Sequence, residues 1–320
     1  MTNPPAGGRG ARRRKLNQPL IKSIIVAAAA GIAAIGSAIT GIAAHLGFAP
    51  MLTWMFGYSA EKAQGTALRF TIAASLGAIV AYALFCDAAR HAAAAAAGAL
   101  VASRIGHFLA LHGTRGLLLS IGATIGAILA APLTPKPTAT GLLRALQGIA
   151  IAATLFTGTE ALHLTAITRS TVHYALWSSW WQLVLLALAV GAITQAARLT
   201  AGTLLVPALF FLTAVPDVGG VRPLEASEAV VEALVVVLLV SLLPAWTYVQ
   251  RGIADRTYMA PALVGGLLGG FYGGWLLAML VERAILGVFA VVGMYFAARE
   301  IFRLATASPD APDAPPIADD

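Results

Sequence analysis

The chain is short of charge. Of its 320 residues only 11% are charged, against 59% hydrophobic, and the mean hydropathy is +0.82. Soluble domains carry about 25% charged residues, so a water-facing globule is excluded. Cysteine is nearly absent. Cys86 stands alone, which rules out an internal disulfide and any multi-cysteine metal centre. Aspartate is missing from the deep parts of the apolar runs, and no His-Glu-x-x-His segment, serine–histidine arrangement or aspartate pair stands in them. An intramembrane enzyme is therefore disfavoured, and no catalytic residue, metal or cofactor is expected. Polar–apolar alternation is lacking too, which removes a membrane β-barrel.

What is present is a series of apolar windows of roughly 20 residues, the length that crosses a bilayer as helix. Backbone groups in lipid must bond internally. The expected fold is an all-α membrane protein of about eight transmembrane helices. The windows fall near 20–46 (with a shorter piece at 47–57), 62–85, 91–111, 116–133, 180–212, 226–248, 258–281 and 285–302. The organisation predicted from them is a basic cytoplasmic tail (1–19), a first four-helix unit (20–133), and a linker holding an ambiguous apolar helix (134–177). A second four-helix unit (178–304) and a disordered acidic tail (305–320) follow. The net charge of +7 is not a nucleic-acid signal, because much of it is Arg9, Arg12, Arg13, Arg14 and Lys15 ahead of the first span. Such a cluster reads as a retained cytoplasmic end, compatible with anionic lipid contact, rather than a cleaved leader. The localisation expected is the inner cell membrane, with both termini cytoplasmic.

The two halves resemble one another. "GIAAHLGFAP" (Gly41–Pro50) and "RLTAGTLLVP" (Arg198–Pro207) align without gaps at an offset of 157 residues (198 less 41). "AQGTAL" from Ala63 meets "AVVEAL" from Ala229, and Tyr82 meets Tyr248, both at 166; Gly98, Ala102 and Gly106 meet Gly266, Gly270 and Gly274 at 168. The drift falls in a loop, where insertions cost little. The pattern argues for a duplicated unit with helix breaks at matching positions: Gly41 and Pro50 in one half, Gly202 and Pro207 in the other. Matching breaks in two halves are where carriers place their sites, and half-helix N-termini favour anions. Even-numbered units with basic loops on one face favour parallel halves; a crossing of the central stretch would make them inverted.

These residues resemble the sulfite exporter TauE/SafE family, the 4-toluene sulfonate uptake permeases. That family has a glycine-rich break motif ending in proline, a Gly-Thr segment, a tyrosine and a basic R-G-x-x-D stretch. Here "GIAAHLGFAP" keeps the first glycine and the proline, "AQGTAL" keeps Gly65-Thr66, and "YVQRGIAD" (Tyr248–Asp255) and "LVGGLLGGFYGG" (Leu263–Gly274) match. The resemblance spans roughly 24–302 apart from the centre, and implies a permease for small anions such as sulfite or sulfonates. The departures are Ala43-Ala44-His45 and Thr200-Ala201-Gly202 in place of a glycine triplet, Arg198 in place of glycine, and Val231-Glu232 in place of Gly-Thr.

Ionisable groups inside spans cost about 2.5–3.5 kcal/mol on insertion scales and are usually functional or paired. The expected substrate-binding set is Arg69, Arg198, Thr66, Gly65, His45 and Glu232, with the two guanidinium groups matching an oxyanion's fork. Glu232 is expected to neutralise an arginine or carry a proton, and His45 to couple transport to protons. The competing readings are a snorkelling Arg69, a structural Arg198–Glu232 pair and a His45 that only caps a helix end. His107 and His112 read as interfacial. The competing function is a non-transporting membrane subunit or scaffold. Substrate, coupling ion and oligomeric state are left open by the residues.

Overall fold

The computed structural model describes residues 8–90, 106, 108–130, 180–197, 201–212, 214–217, 220–253 and 257–306. The predicted third span for most of its length, Arg104, His107, the central linker with Glu160 and His163, Arg198 and most of the acidic tail lie outside them.

Nine helices stand among the described residues: α1 Gly8–Thr40, α2 His45–Phe56, α3 Ala60–Arg90, α4 Thr114–Ala130, α5 Trp180–Ala197, α6 Ala201–Leu212, α7 Ala226–Gln250, α8 Met259–Met279 and α9 Glu282–Thr306. Four segments are long and apolar enough to cross a membrane: Leu20–Thr40, Ala60–Cys86, Ala226–Gln250 and Met259–Met279. The shortest, 21 residues, is about 31 Å of helix, the thickness of the hydrocarbon layer. Side chains that would be misplaced in water line the outside, among them Ile32, Leu268, Val264 and Leu129; in lipid they are solvated. This is a multi-pass helical membrane protein. One short hairpin interrupts the helices, Ala214–Asp217 against Gly220–Pro223, in the loop where the repeat offset changes.

Glycine decides which helices touch. α8 carries two glycine rows. Gly265, Gly269 and Gly273 lie against Ala27, Gly31 and Ile35 of α1; Gly266, Gly270 and Gly274 lie against Phe70, Ala74 and Ala78 of α3. A Cβ on Gly273 would stand 2.6 Å from Ala38 Cβ, and one on Gly266 2.6 Å from the Phe70 ring. Without a hydrophobic drive between helices in lipid, such close backbone approach holds the bundle. The same device joins α4 to α5: Gly122 and Gly126 face Val184 and Leu188, and Gly191 faces Ala123.

These contacts also give direction. Residue numbers rise together along α1, α3 and α8, so the three run parallel; α4 and α5 likewise run with each other. Against α7, α3 is antiparallel: Gly65 lies under the Tyr248 ring, while the Tyr82 hydroxyl donates to Ser227 Oγ at 3.2 Å. α4 runs with α7: Arg115 and Gly116 at its start meet Glu232 and Val235, and further along Ala123 and Ala127 share a cavity with Val237, Val240 and Ser241. Hence α1 and α3 oppose α5 and α7. The parallel halves favoured by the basic loops are not the arrangement observed.

A second difference concerns the boundary predicted between 111 and 116. Gly113-Thr114 reads as a loop. The chain instead passes through one π-turn, Leu109–Gly113, straight into α4, with Phe108 and Thr114 both in right-handed helical conformation. The wider turn keeps the backbone bonded, and it carries His112 and Arg115 into the interior rather than to an interface. At the other end of the chain, α1 starts at Gly8, inside the stretch expected as a tail.

Candidate functional site

Each of the two expected break regions holds a short half-helix. α1 stops where Gly41 takes φ +69°, a conformation open to glycine and costly for other residues. The Gly41 amide bonds back to Ser37 O at 2.8 Å, and the Ile42 amide donates to Thr40 Oγ1 at 3.3 Å. The chain then reverses. α2 runs back beside α1 and α3, with Phe48 stacked on Phe70 at 4.5 Å and Phe56 on Tyr258 at 5.1 Å. In the other half α5 is followed by α6. Each half-helix is 12 residues long and holds its proline inside, Pro50 in α2 and Pro207 in α6. An internal proline removes a helix bond, which suits a short element better than a long span.

The two breaks meet. Gly202, in the first turn of α6, packs on the Gly41 carbonyl and on Ile42 Cα, and Gly41 in turn lies against Val206, Ala233 and the Val230 carbonyl. No side chain fits between them. Beside this contact lies a cavity of about 160 Å³. Its described lining is Ala43 and His45 at the start of α2, Ala201 at the start of α6, Leu68 of α3, Ala123 and Ala127 of α4, Gly191, Thr194 and Gln195 of α5, and Val237, Val240, Ser241 and Pro244 of α7. Four full helices and both half-helix N-termini therefore share one space. The α2 start has no side-chain cap; its Leu46 and Gly47 amides turn back to the Ala43 and Ala44 carbonyls at 3.2 Å, and it presents the positive end of the helix dipole. His45 Nδ1 is buried there with no hydrogen-bond partner.

The residues named from sequence separate into groups. His45 lines the cavity. Arg69 sits half-buried on α3, next to cavity-lining Leu68, and is not itself among the described lining. Thr66 is buried and its hydroxyl donates to Lys62 O at 2.8 Å. Gly65 makes room for Tyr248, whose ring would lie 2.8 Å from an added Cβ. Arg198 lies outside the described residues. Glu232 is elsewhere, fully buried on α7, where its Oε1 accepts from Arg115 Nε at 2.9 Å and stands 3.4 Å from His112 Nδ1. Arg115 and His112 were missed because the sequence around them resembles a loop. The signal that remained was Glu232 itself, a carboxylate in an apolar run that needs a cation. Thr194, Gln195 and Ser241 were missed because isolated small polar residues in spans are common.

Half-helices that converge from two sides on an internal cavity are the construction that helical membrane transporters use. Residues 183–318 match the family model described as Sulfite exporter TauE/SafE, the family that the break and tyrosine motifs resemble. The match covers the second half, from α5 onward. No curated protein and no solved structure matches the chain.

Proposed function

We propose that the chain is a carrier for a small anion, of the sulfite, sulfonate or small organic-acid type, held between two inverted repeats in the inner cell membrane. The observation that carries this reading is the meeting of Gly41 with Gly202 beside a cavity that both half-helix starts line. The positive ends of the half-helix dipoles attract an oxyanion, and the His45 ring and the Gln195 and Ser241 side chains supply hydrogen bonds to it. The described lining carries no carboxylate, so nothing there repels one.

The repeat that fits the packing pairs α1 to α4 with α5 to α8. α8 rests on α1 and α3 through glycine; α4 rests on α5 and α7 in the same way. Opposed directions make the pair inverted, so the same cavity opens to either face by related movements. Purified full-length chain in lipid vesicles should take up labelled sulfite, methanesulfonate or acetate. Arg69→Ala and Arg198→Ala report whether the two guanidinium groups serve the site. Absence of flux for all three anions would overturn the carrier reading.

A further inference from the structure

Glu232, His112 and Arg115 are a second polar centre, apart from the cavity. Glu232 has no exposed surface, and its Oε2 is buried without a hydrogen-bond partner. Both neighbours, Arg115 Nε and His112 Nδ1, approach Oε1. A carboxylate satisfied on one oxygen and bare on the other is poorly solvated as an anion. Its bare oxygen is where a proton removes that cost.

We propose that these three residues form an intramembrane proton-binding site that loads one proton with each anion carried; the coupling rests on the carrier reading, the proton site does not. Arg115 and Glu232 cancel in charge, so the centre is neutral when empty and +1 when loaded. The proton adds to a lone pair of Glu232 Oε2, forming an O–H bond, and leaves by the reverse transfer to water; nothing is oxidised. The outlet assigned to the proton is beside Arg115, whose side chain is 15% exposed.

The titratable groups around Glu232 are few. The π-turn offers His112 and α4 offers Arg115. α3 offers Tyr82, which touches His112 edge-on at 6.5 Å and donates to Ser227. Glu282 of α9 accepts from the Ala226 amide instead, nearer the start of α7. α7 itself carries Glu228 one turn earlier, whose Oε2 accepts from the Glu225 amide at 2.9 Å; α6 carries no titratable side chain, and those of α1 all lie at or before Lys22.

The centre and the cavity lie on the same two helices. Glu232 is eight residues from cavity-lining Val240 on α7, about 12 Å at 1.5 Å per residue. Across that distance, at an effective dielectric near 20, a +1 centre raises the affinity for a monoanion about tenfold. By linkage the anion raises the proton affinity as much.

The test uses purified full-length chain. Infrared difference spectra between about pH 8 and pH 5 should show a carboxylic-acid stretch that Glu232→Gln removes. His112→Phe, which keeps the ring packing, should retain the band, because the proton sits on Glu232 and not on the imidazole. In vesicles, methanesulfonate stays ionised at both values and serves as the probe. Wild type should accumulate it when the outside is acidic; Glu232→Gln should keep methanesulfonate counterflow and lose the gradient-driven accumulation. A wild-type spectrum with no band sensitive to Glu232→Gln overturns the proton site. An equal pH response in wild type and variant overturns the coupling. Absence of any methanesulfonate flux in wild type counts against the carrier reading, and the infrared band then decides the proton site alone.

Discussion

Gly269→Ala is the sharpest test of how this bundle is held. A methyl group at Gly269 meets the Gly31 carbonyl oxygen and stands 2.6 Å from Gly31 Cα. Both atoms are backbone, so no rotamer change relieves the clash. α8 must withdraw from α1 by about 1 Å to reach ordinary contact distance, and the withdrawal strips dispersion contacts along the seam from Gly265 to Gly273. Overpacking of this kind costs about 1–3 kcal/mol. The alanine returns about 1 kcal/mol of helix propensity. The net expectation is a loss of about 1–2 kcal/mol, larger for Gly269→Leu. Two internal controls isolate the cause. A Cβ on Gly36 of α1 or Gly287 of α9 meets nothing within 4 Å, so Gly36→Ala and Gly287→Ala should hold or raise stability. Thermal unfolding of the purified protein in one detergent compares all of them. If Gly269→Ala melts as high as Gly36→Ala, the two-row glycine packing of α8 is wrong.

Three further outcomes follow from the same contacts. Arg115→Met strands the buried Glu232 charge and should cost about 3–5 kcal/mol, while Arg115→Met with Glu232→Met should recover most of it; a single variant no weaker than the double would refute the pairing. His45→Ala should leave the melting temperature near wild type and weaken half-saturation for methanesulfonate uptake about tenfold, the loss of one hydrogen bond to a charged ligand; an unchanged uptake curve removes His45 from the site. Gly202→Ala drives a methyl into the Gly41 carbonyl, so uptake should fall at least tenfold, roughly the effect of 1.4 kcal/mol; wild-type flux would mean that the two breaks do not need to touch.

Much of the membrane character was legible in the residues. Apolar windows mark spans because length and hydropathy act locally, and Leu20–Thr40, Ala226–Gln250 and Met259–Met279 all formed helices where they were expected. The stop at Gly41 was legible because glycine acts on its own backbone; Pro50, Gly202 and Pro207, expected as break positions, stand inside α2 and α6. The Leu-His-Gly-Thr kind of ambiguity was not: "LHGTRG" contains every mark of a turn, and only the π-turn at Leu109–Gly113 kept it helical. Glu232 stood out in the sequence, but its partner did not, since the 117 residues between Arg115 and Glu232 are closed by packing and not by periodicity.

The sequence by itself determined that this chain lives in lipid, where its apolar windows lie, and that the first of them stops at Gly41. Those properties depend on the nearest few residues, and a bilayer reads them one segment at a time. Tertiary structure decided which way the halves face, that Gly41 and Gly202 touch, and that Glu232 answers Arg115 and His112. The physical reason is that helices in lipid choose neighbours by backbone fit, and fit is a property of two surfaces brought together.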